Sequence, residues 1–152
     1  MSLFIVLKLI HVLSAIVAVG GNATYGVLLA SGAGQTETTL FSLKAIRFID
    51  RHLANPAYTL LLLAGLIMVF TVPFPITTPW ILTSLILYVV IAILGATVYA
   101  PVFRKQIKIA ESDGINGDDY RVTAHWGVVL GLAITAIDAL IVFLMVAKPS
   151  LW

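Results

Sequence analysis

Four long apolar runs most constrain what this chain can fold into. They cover residues 3–29, 54–72, 80–102 and 124–146. A helix rises about 1.5 Å per residue, so roughly 20 residues cross a hydrocarbon core of about 30 Å. Hydrophobic residues make up 61% of the chain and charged residues 11%, whereas soluble domains carry about 25% charged residues. The sequence therefore predicts an all-α membrane protein with one integral-membrane domain, residues 1–152. We expect a bundle of four transmembrane helices in a lipid bilayer.

The segment between the first two runs has a pattern of its own. It opens with Ser-Gly-Ala-Gly at 31–34, and apolar residues such as Leu43 and Ile46 then interleave with Lys44, Arg47 and others. This spacing indicates an amphipathic helix that lies at the membrane interface and runs into the second span. Pro56 then falls in the first turn of that span or marks a kink.

The basic residues of the loops are distributed unevenly. Loops one and three hold Lys44, Arg47, Arg51, Arg104, Lys105, Lys108 and Arg121, and loop two holds none. The positive-inside rule therefore predicts that loops one and three face the cytoplasm and that both termini lie outside. The first run is too long for a cleavable signal and lacks a basic leader. We expect a multi-pass protein of a bacterial inner membrane.

Two compositional features exclude whole classes of function. The chain contains no cysteine, which excludes disulfides, thiolate nucleophiles and iron–sulfur or zinc-thiolate sites. Its net charge of +2 comes mostly from the two basic loops, so we expect no nucleic-acid partner.

The first run carries a polar stripe. Lys8, His11, Asn22 and Tyr25, with alanines between them, recur at three- and four-residue steps and so lie on one helix face. A membrane helix turns such a face toward protein or a cofactor. Counting the helical rise from the outer ends of the runs predicts one outer layer of candidate cofactor-binding residues: Lys8, His11, Met68, Tyr88 and Asp138.

Two further histidines, His52 and His125, are predicted at the cytoplasmic ends of helices two and four. The axial ligands of a haem between helices lie at similar depth, so His11 cannot share an iron with either of them. A haem on His11 would take Met68 or no residue as its sixth ligand. A bis-histidine site would pair His52 with His125, although interface positions are favoured for both.

Each polar residue of the outer layer also has a purely structural interpretation. Asp138 is costly unless it has a partner, and Lys8 or His11 is the expected one. A Lys8–Asp138 tie would require no further function, and Lys8 alone can extend to the headgroups. His11 is either a satisfied core histidine or a metal ligand. In helix four, the small residues Gly127 and Gly131 predict close approach of a neighbouring helix.

Short motifs at both ends of the chain resemble a known group of membrane proteins. Lys8-Leu9-Ile10-His11 resembles the K-x-x-H opening of HemJ-type protoporphyrinogen oxidases, and the segment 145–149 resembles their apolar-K-P ending. With residues 51–56 opening helix two and Trp126 opening helix four, the chain is most similar to an integral-membrane family, number 2269 among domains of unknown function. That family also looks related to the copper-resistance D proteins.

The resemblance implies a haem b whose iron is held by His11, with Lys8 matching a lysine of the HemJ-type proteins. Those proteins use a basic residue in helix three, whereas residues 82–99 contain no lysine or histidine. The resemblance therefore carries over to haem binding and not to porphyrinogen oxidation.

The predicted function is haem b binding with a redox or electron-transfer role, which leaves a haem-dependent oxidoreductase open. One alternative is an accessory subunit that associates with other membrane subunits or with copies of itself. Another is copper handling or small-molecule transport. Copper has little support from the sequence because Met68 and Met145 form no paired motif.

Overall fold

The computed structural model describes residues 3–71 and 75–150, and all regular structure within these ranges is helical. The α-helices are α1 (Leu3–Gly32), α2 (Thr36–Ile49), α3 (Asn55–Val69), α4 (Pro79–Leu94), α5 (Ala100–Ser112) and α6 (Asp118–Ala147). A first π-helical turn, Asp50–Ala54, joins α2 to α3, and a second, Gly95–Tyr99, joins α4 to α5.

Four continuous helices result: Leu3–Gly32, Thr36–Val69, Pro79–Ser112 and Asp118–Ala147. Each is long and apolar enough to cross a membrane, which confirms the predicted all-α, four-helix membrane fold. The second and third helices extend well beyond their apolar runs, because α2 and α5 continue them through the π turns. Residue 72, the predicted end of the second span, lies outside the described residues.

A proline follows shortly after each π turn. Pro56 and Pro101 are each the second residue after a π turn. A proline lacks the N–H that an α-helix needs, and its ring clashes with the carbonyl four residues earlier. Widening the preceding turn relieves this clash: the N–H of Asn55 bonds to the carbonyl of Asp50, five residues back. The second long helix therefore continues through Pro56 instead of ending there.

The amphipathic pattern of α2 is explained by two different surroundings. Leu43 and Ile46 are fully buried in a cluster that includes Phe103 and Ile107 of α5. On the outside of the bundle, Phe41 is 72% exposed. One face of α2 thus packs on protein, and an exposed aromatic side chain remains for the membrane interface.

The helices pack in pairs, which leaves a gap at one end of the bundle. α1 packs along α3, and α4 packs on α6. α2 and α5 contact each other at the end that carries the predicted cytoplasmic loops, hereafter the basic end. No Cα atom of α3 lies within 8 Å of a Cα atom of α4. The two pairs are therefore separated toward the opposite end, hereafter the open end.

Several glycines lie where a neighbouring helix leaves little room for a side chain, the tightest being Gly32, which faces Ser42 of α2. A Cβ added at Gly127 would lie 3.0 Å from Oε1 of Gln106, whereas one at Gly131 would lie 3.8 Å from a Tyr99 ring carbon, an ordinary contact. The small-residue pair on α6 does face another helix, but the tight position is Gly127 and not Gly131. A further tight glycine, Gly65 on α3, faces His11.

Candidate functional site

The gap between the two helix pairs forms a cleft of about 780 Å³. Its walls are mostly apolar, and its volume lies within the roughly 300–1,000 Å³ typical of ligand pockets. The structure brings all five residues of the predicted outer layer to the lining of this cleft: Lys8, His11, Met68, Tyr88 and Asp138.

His11 is held in one orientation by the second long helix. Its Nδ1 lies 2.8 Å from the carbonyl oxygen of Leu61. A carbonyl can only accept a hydrogen bond, so Nδ1 carries the hydrogen and Nε2 of the neutral ring keeps a free lone pair. Gly65 provides the space, because a Cβ there would lie 3.0 Å from Cε1 of the ring. The ring therefore has one fixed tautomer and one nitrogen available to a ligand.

Asp138 lies at the deep end of the cleft and is 3% exposed. Its Oδ2 accepts hydrogen bonds from the Tyr58 hydroxyl at 2.6 Å and from the Asn22 amide at 2.7 Å. The same amide nitrogen lies 2.7 Å from the Tyr58 oxygen. Three helices thus meet in one closed cluster of polar side chains.

The expected pairing of Asp138 with Lys8 or His11 is wrong. Lys8 is exposed, and it precedes Asn22 by fourteen residues, about 21 Å along α1. His11 precedes Asn22 by eleven residues, about 16 Å. Depth counted from the ends of apolar runs assumes that the helix ends are level. α1 instead places Asn22, and not His11, beside Asp138.

Tyr88 lies at the level of Asp138. Its hydroxyl donates to the backbone carbonyl of Tyr58 at 3.0 Å, and the two ring centroids are 6.3 Å apart. This bond connects α4 to α3 where their backbones do not approach. Asn22, Tyr58, Tyr88 and Asp138 together form the cleft floor.

Met68, Lys8 and Lys148 line the other end of the cleft. Met68 follows Gly65 by three residues, so it lies one helical turn from the position that faces His11. The Lys148 ammonium lies 5.4 Å from the ring centroid of Trp80, within the range of a cation–π contact. Two cationic side chains and a thioether therefore surround the mouth.

The other two histidines lie outside the cleft. His52 is exposed, stacks on Phe48 and places Nδ1 2.9 Å from the Phe48 carbonyl. His125 is also exposed, and its ring meets the edge of its neighbour Trp126. Both contacts lie within the residue's own helix, and neither histidine lines the cleft.

Tyr58 is the main residue of the floor that the sequence analysis did not single out. It lies in an uncharged apolar run, so composition alone gives no reason to choose it. A usable signal was the position of Asn22 on the polar stripe of α1. An amide there needs a buried polar counterpart on a neighbouring helix.

The fold and cleft define a multi-pass integral membrane protein. The chain belongs to the family described as predicted integral membrane protein (DUF2269), whose match covers residues 5–149. This confirms the family expected from the sequence. No curated protein and no solved structure matches the chain.

Proposed function

We propose that this protein binds haem b in the cleft, where His11 would hold its iron, and serves electron transfer in a bacterial inner membrane. The observation that carries the proposal is the hydrogen bond from His11 Nδ1 to the Leu61 carbonyl. Metal-binding histidines commonly donate their second ring nitrogen to a carbonyl or carboxylate, which fixes the tautomer. The corresponding lone pair of His11 remains on Nε2.

The other lining residues fit the same group. The apolar walls suit a flat hydrophobic macrocycle and exclude water from it. Lys8 and Lys148 at the mouth would pair with its carboxylates, and Met68 would be a further candidate ligand of the iron. When bound, haem supplies one-electron transfer. The contribution of this chain is to orient His11 through Leu61 and to keep the site dry.

The test is haem content after expression with ample haem. Reduced-minus-oxidised absorbance of the purified protein should show a Soret band that is lost in His11→Ala. His52→Ala and His125→Ala are matched controls and should retain it, because both residues lie outside the cleft. Absence of the band from the wild-type protein would refute haem binding, and full retention in His11→Ala would refute the ligand assignment.

A second candidate, copper handling, has one observation in its favour. Met68 and Met145 both line the cleft with His11, although they are far apart in the sequence. Thioether and imidazole groups are suitable ligands for Cu(I). Competition with a colorimetric Cu(I) chelator tests this function. A binding stoichiometry of one that is lost in Met68→Leu and Met145→Leu would favour copper over haem.

A further inference from the structure

A second carboxylate cluster lies next to the cleft floor, on its basic-end side. Asp50, in the first π turn, accepts a hydrogen bond from the Tyr25 hydroxyl at 3.4 Å and one from the Asn55 amide at 3.2 Å. Asp50 is half-buried, and Tyr25 is buried. The haem proposal makes no use of these residues.

The two clusters contain the same residue types, but the helices that supply the asparagine and the tyrosine are exchanged. Each carboxylate is bonded to one asparagine and one tyrosine, one of them from α1 and the other from α3. Asn22 and Tyr25 are three residues apart on α1, and Asn55 and Tyr58 are three residues apart on α3. Residues at this spacing share a helix face, with Cβ atoms about 5–6 Å apart. The clusters are therefore consecutive levels of one polar ladder: Asp138, Asn22, Tyr58, Tyr25, Asp50 and Asn55.

The first π turn explains how Asn55 can bond to Asp50 in the second cluster. Residues five apart on an α-helix point in different directions, whereas the N–H of Asn55 bonds to the Asp50 carbonyl across the π turn. That bond places residues 50 and 55 on the same face of the helix, so the Asn55 side chain reaches the Asp50 carboxylate. The proline that forces the wider turn, Pro56, thus has a direct effect on the ladder.

We propose that the polar ladder is a proton path from the basic end to the cleft floor. Carboxyl groups hold and release protons, and a hydroxyl can accept one proton while it donates its own. Carboxylates within a membrane span commonly mark proton relays. The bonds to Asp138 come from neutral groups, and no ion pair in residues 3–71 and 75–150 involves it.

The proposed transfer moves one proton and no electron, so it requires no redox partner. A proton from water at the basic end binds Asp50, and the Tyr25 hydroxyl, which donates to Asp50 in the structure, turns away from it. The Tyr25 oxygen then accepts the Asp50 proton while its own proton passes to a bridging water. In the proposed path this water bridges the Tyr25 and Tyr58 hydroxyls, because Tyr25 lies one helical turn along α1 from Asn22, the partner of Tyr58. Tyr58 then releases its hydroxyl proton to Asp138 and takes up the incoming one. One proton reaches the cleft floor, and every hydroxyl is restored. The path delivers protons to whatever occupies the cleft and does not depend on haem.

The test is proton flux into vesicles containing the haem-free protein. A potassium gradient with valinomycin supplies the driving force, and a trapped pH-sensitive dye reports the internal pH. Wild-type vesicles should take up protons faster than protein-free vesicles. Tyr25→Phe and Asp138→Asn should each lower the protein-dependent rate at least tenfold. Thr24→Val is the matched control, since its exposed hydroxyl bonds within its own helix to the Gly21 carbonyl, and it should leave the rate unchanged.

A folding defect is distinguished by Asp50→Glu, which keeps a carboxyl group and should retain flux where Asp50→Asn loses it. Thermal unfolding of each variant in the same detergent checks its integrity. A wild-type rate equal to that of protein-free vesicles would overturn the proposal, as would an unchanged rate in Tyr25→Phe. Because His11 is not part of the ladder, His11→Ala should lose haem and keep flux, so the two proposals fail independently.

Discussion

Tyr58 and Asp138 join the second and fourth membrane helices through a hydrogen bond of 2.6 Å between hydroxyl and carboxylate. The residues are eighty positions apart in the chain, and the bond lies at the floor of the cleft. A carboxylate in an apolar bundle is costly unless its oxygens accept hydrogen bonds. Within the part of the chain that the structure describes, neutral donors meet that need and no counter-ion pairs with Asp138, which leaves the carboxylate available for chemistry.

Removing the Tyr58 hydroxyl should destabilise the bundle. In Tyr58→Phe, Asp138 loses one of its two donors, and hydrogen bonds to charged groups are worth about 1.5–3 kcal/mol. Thr59→Val is the matched control, because the neighbouring Thr59 hydroxyl is exposed and bonds only within its own helix; such surface changes stay within about 0.5 kcal/mol. Unfolding in detergent by added denaturant measures both. Equal stability of the two variants would contradict the role given to this bond.

Gly65→Ala should displace the ring of His11 while residue 11 remains a histidine. The new Cβ would lie 3.0 Å from Cε1 and 3.1 Å from Nδ1 of the imidazole, so the ring must shift by a few tenths of an ångström from the position that bonds to Leu61. On the haem proposal, haem content should fall severalfold. Gly26→Ala is the control, since nothing lies within 4 Å of its added Cβ. Unchanged haem content in Gly65→Ala would show that the ring orientation does not matter for binding.

His11 and Asp138 should behave as independent sites. They lie about 16 Å apart along the bundle by the helical rise of α1, and they have no hydrogen-bond partner in common. The free energies of unfolding lost in His11→Ala and Asp138→Asn should therefore add in the double variant to within about 0.5 kcal/mol. A coupling energy above 1 kcal/mol would mean that the two groups interact directly.

The charges at the basic end predict the orientation of the protein in the membrane. Reporter fusions after Gly34 and Ile115 should read cytoplasm, and one after Ile76 should read periplasm. The first two positions lie beside the α1–α2 and α5–α6 connections, where the basic residues cluster. A periplasmic result for the Ile115 fusion would reverse the orientation and, with it, the direction of the proposed proton path.

The sequence by itself determined that this chain forms four membrane helices. Within a bilayer each backbone group must be bonded inside the structure, so a long apolar run has little choice but to become a helix. The three- and four-residue steps from Lys8 to Tyr25 likewise determined which face of α1 turns inward, because helical periodicity is local. The five residues predicted to form one layer line one cleft but at different depths, with Tyr88 and Asp138 at its floor and Lys8 and Met68 at its mouth.

Only the tertiary structure decided which of these residues meet. Partner choice depends on helix tilt and on the axial register between helices, and packing sets both. Asp138 bonds to Asn22, which lies three helical turns along α1 from His11, the partner expected from the sequence. The π turn before Pro56 places the Asn55 side chain beside Asp50. On an α-helix, two residues five positions apart would point in different directions. Local spacing fixes the face of a helix, whereas contacts between helices are settled by how the whole bundle packs.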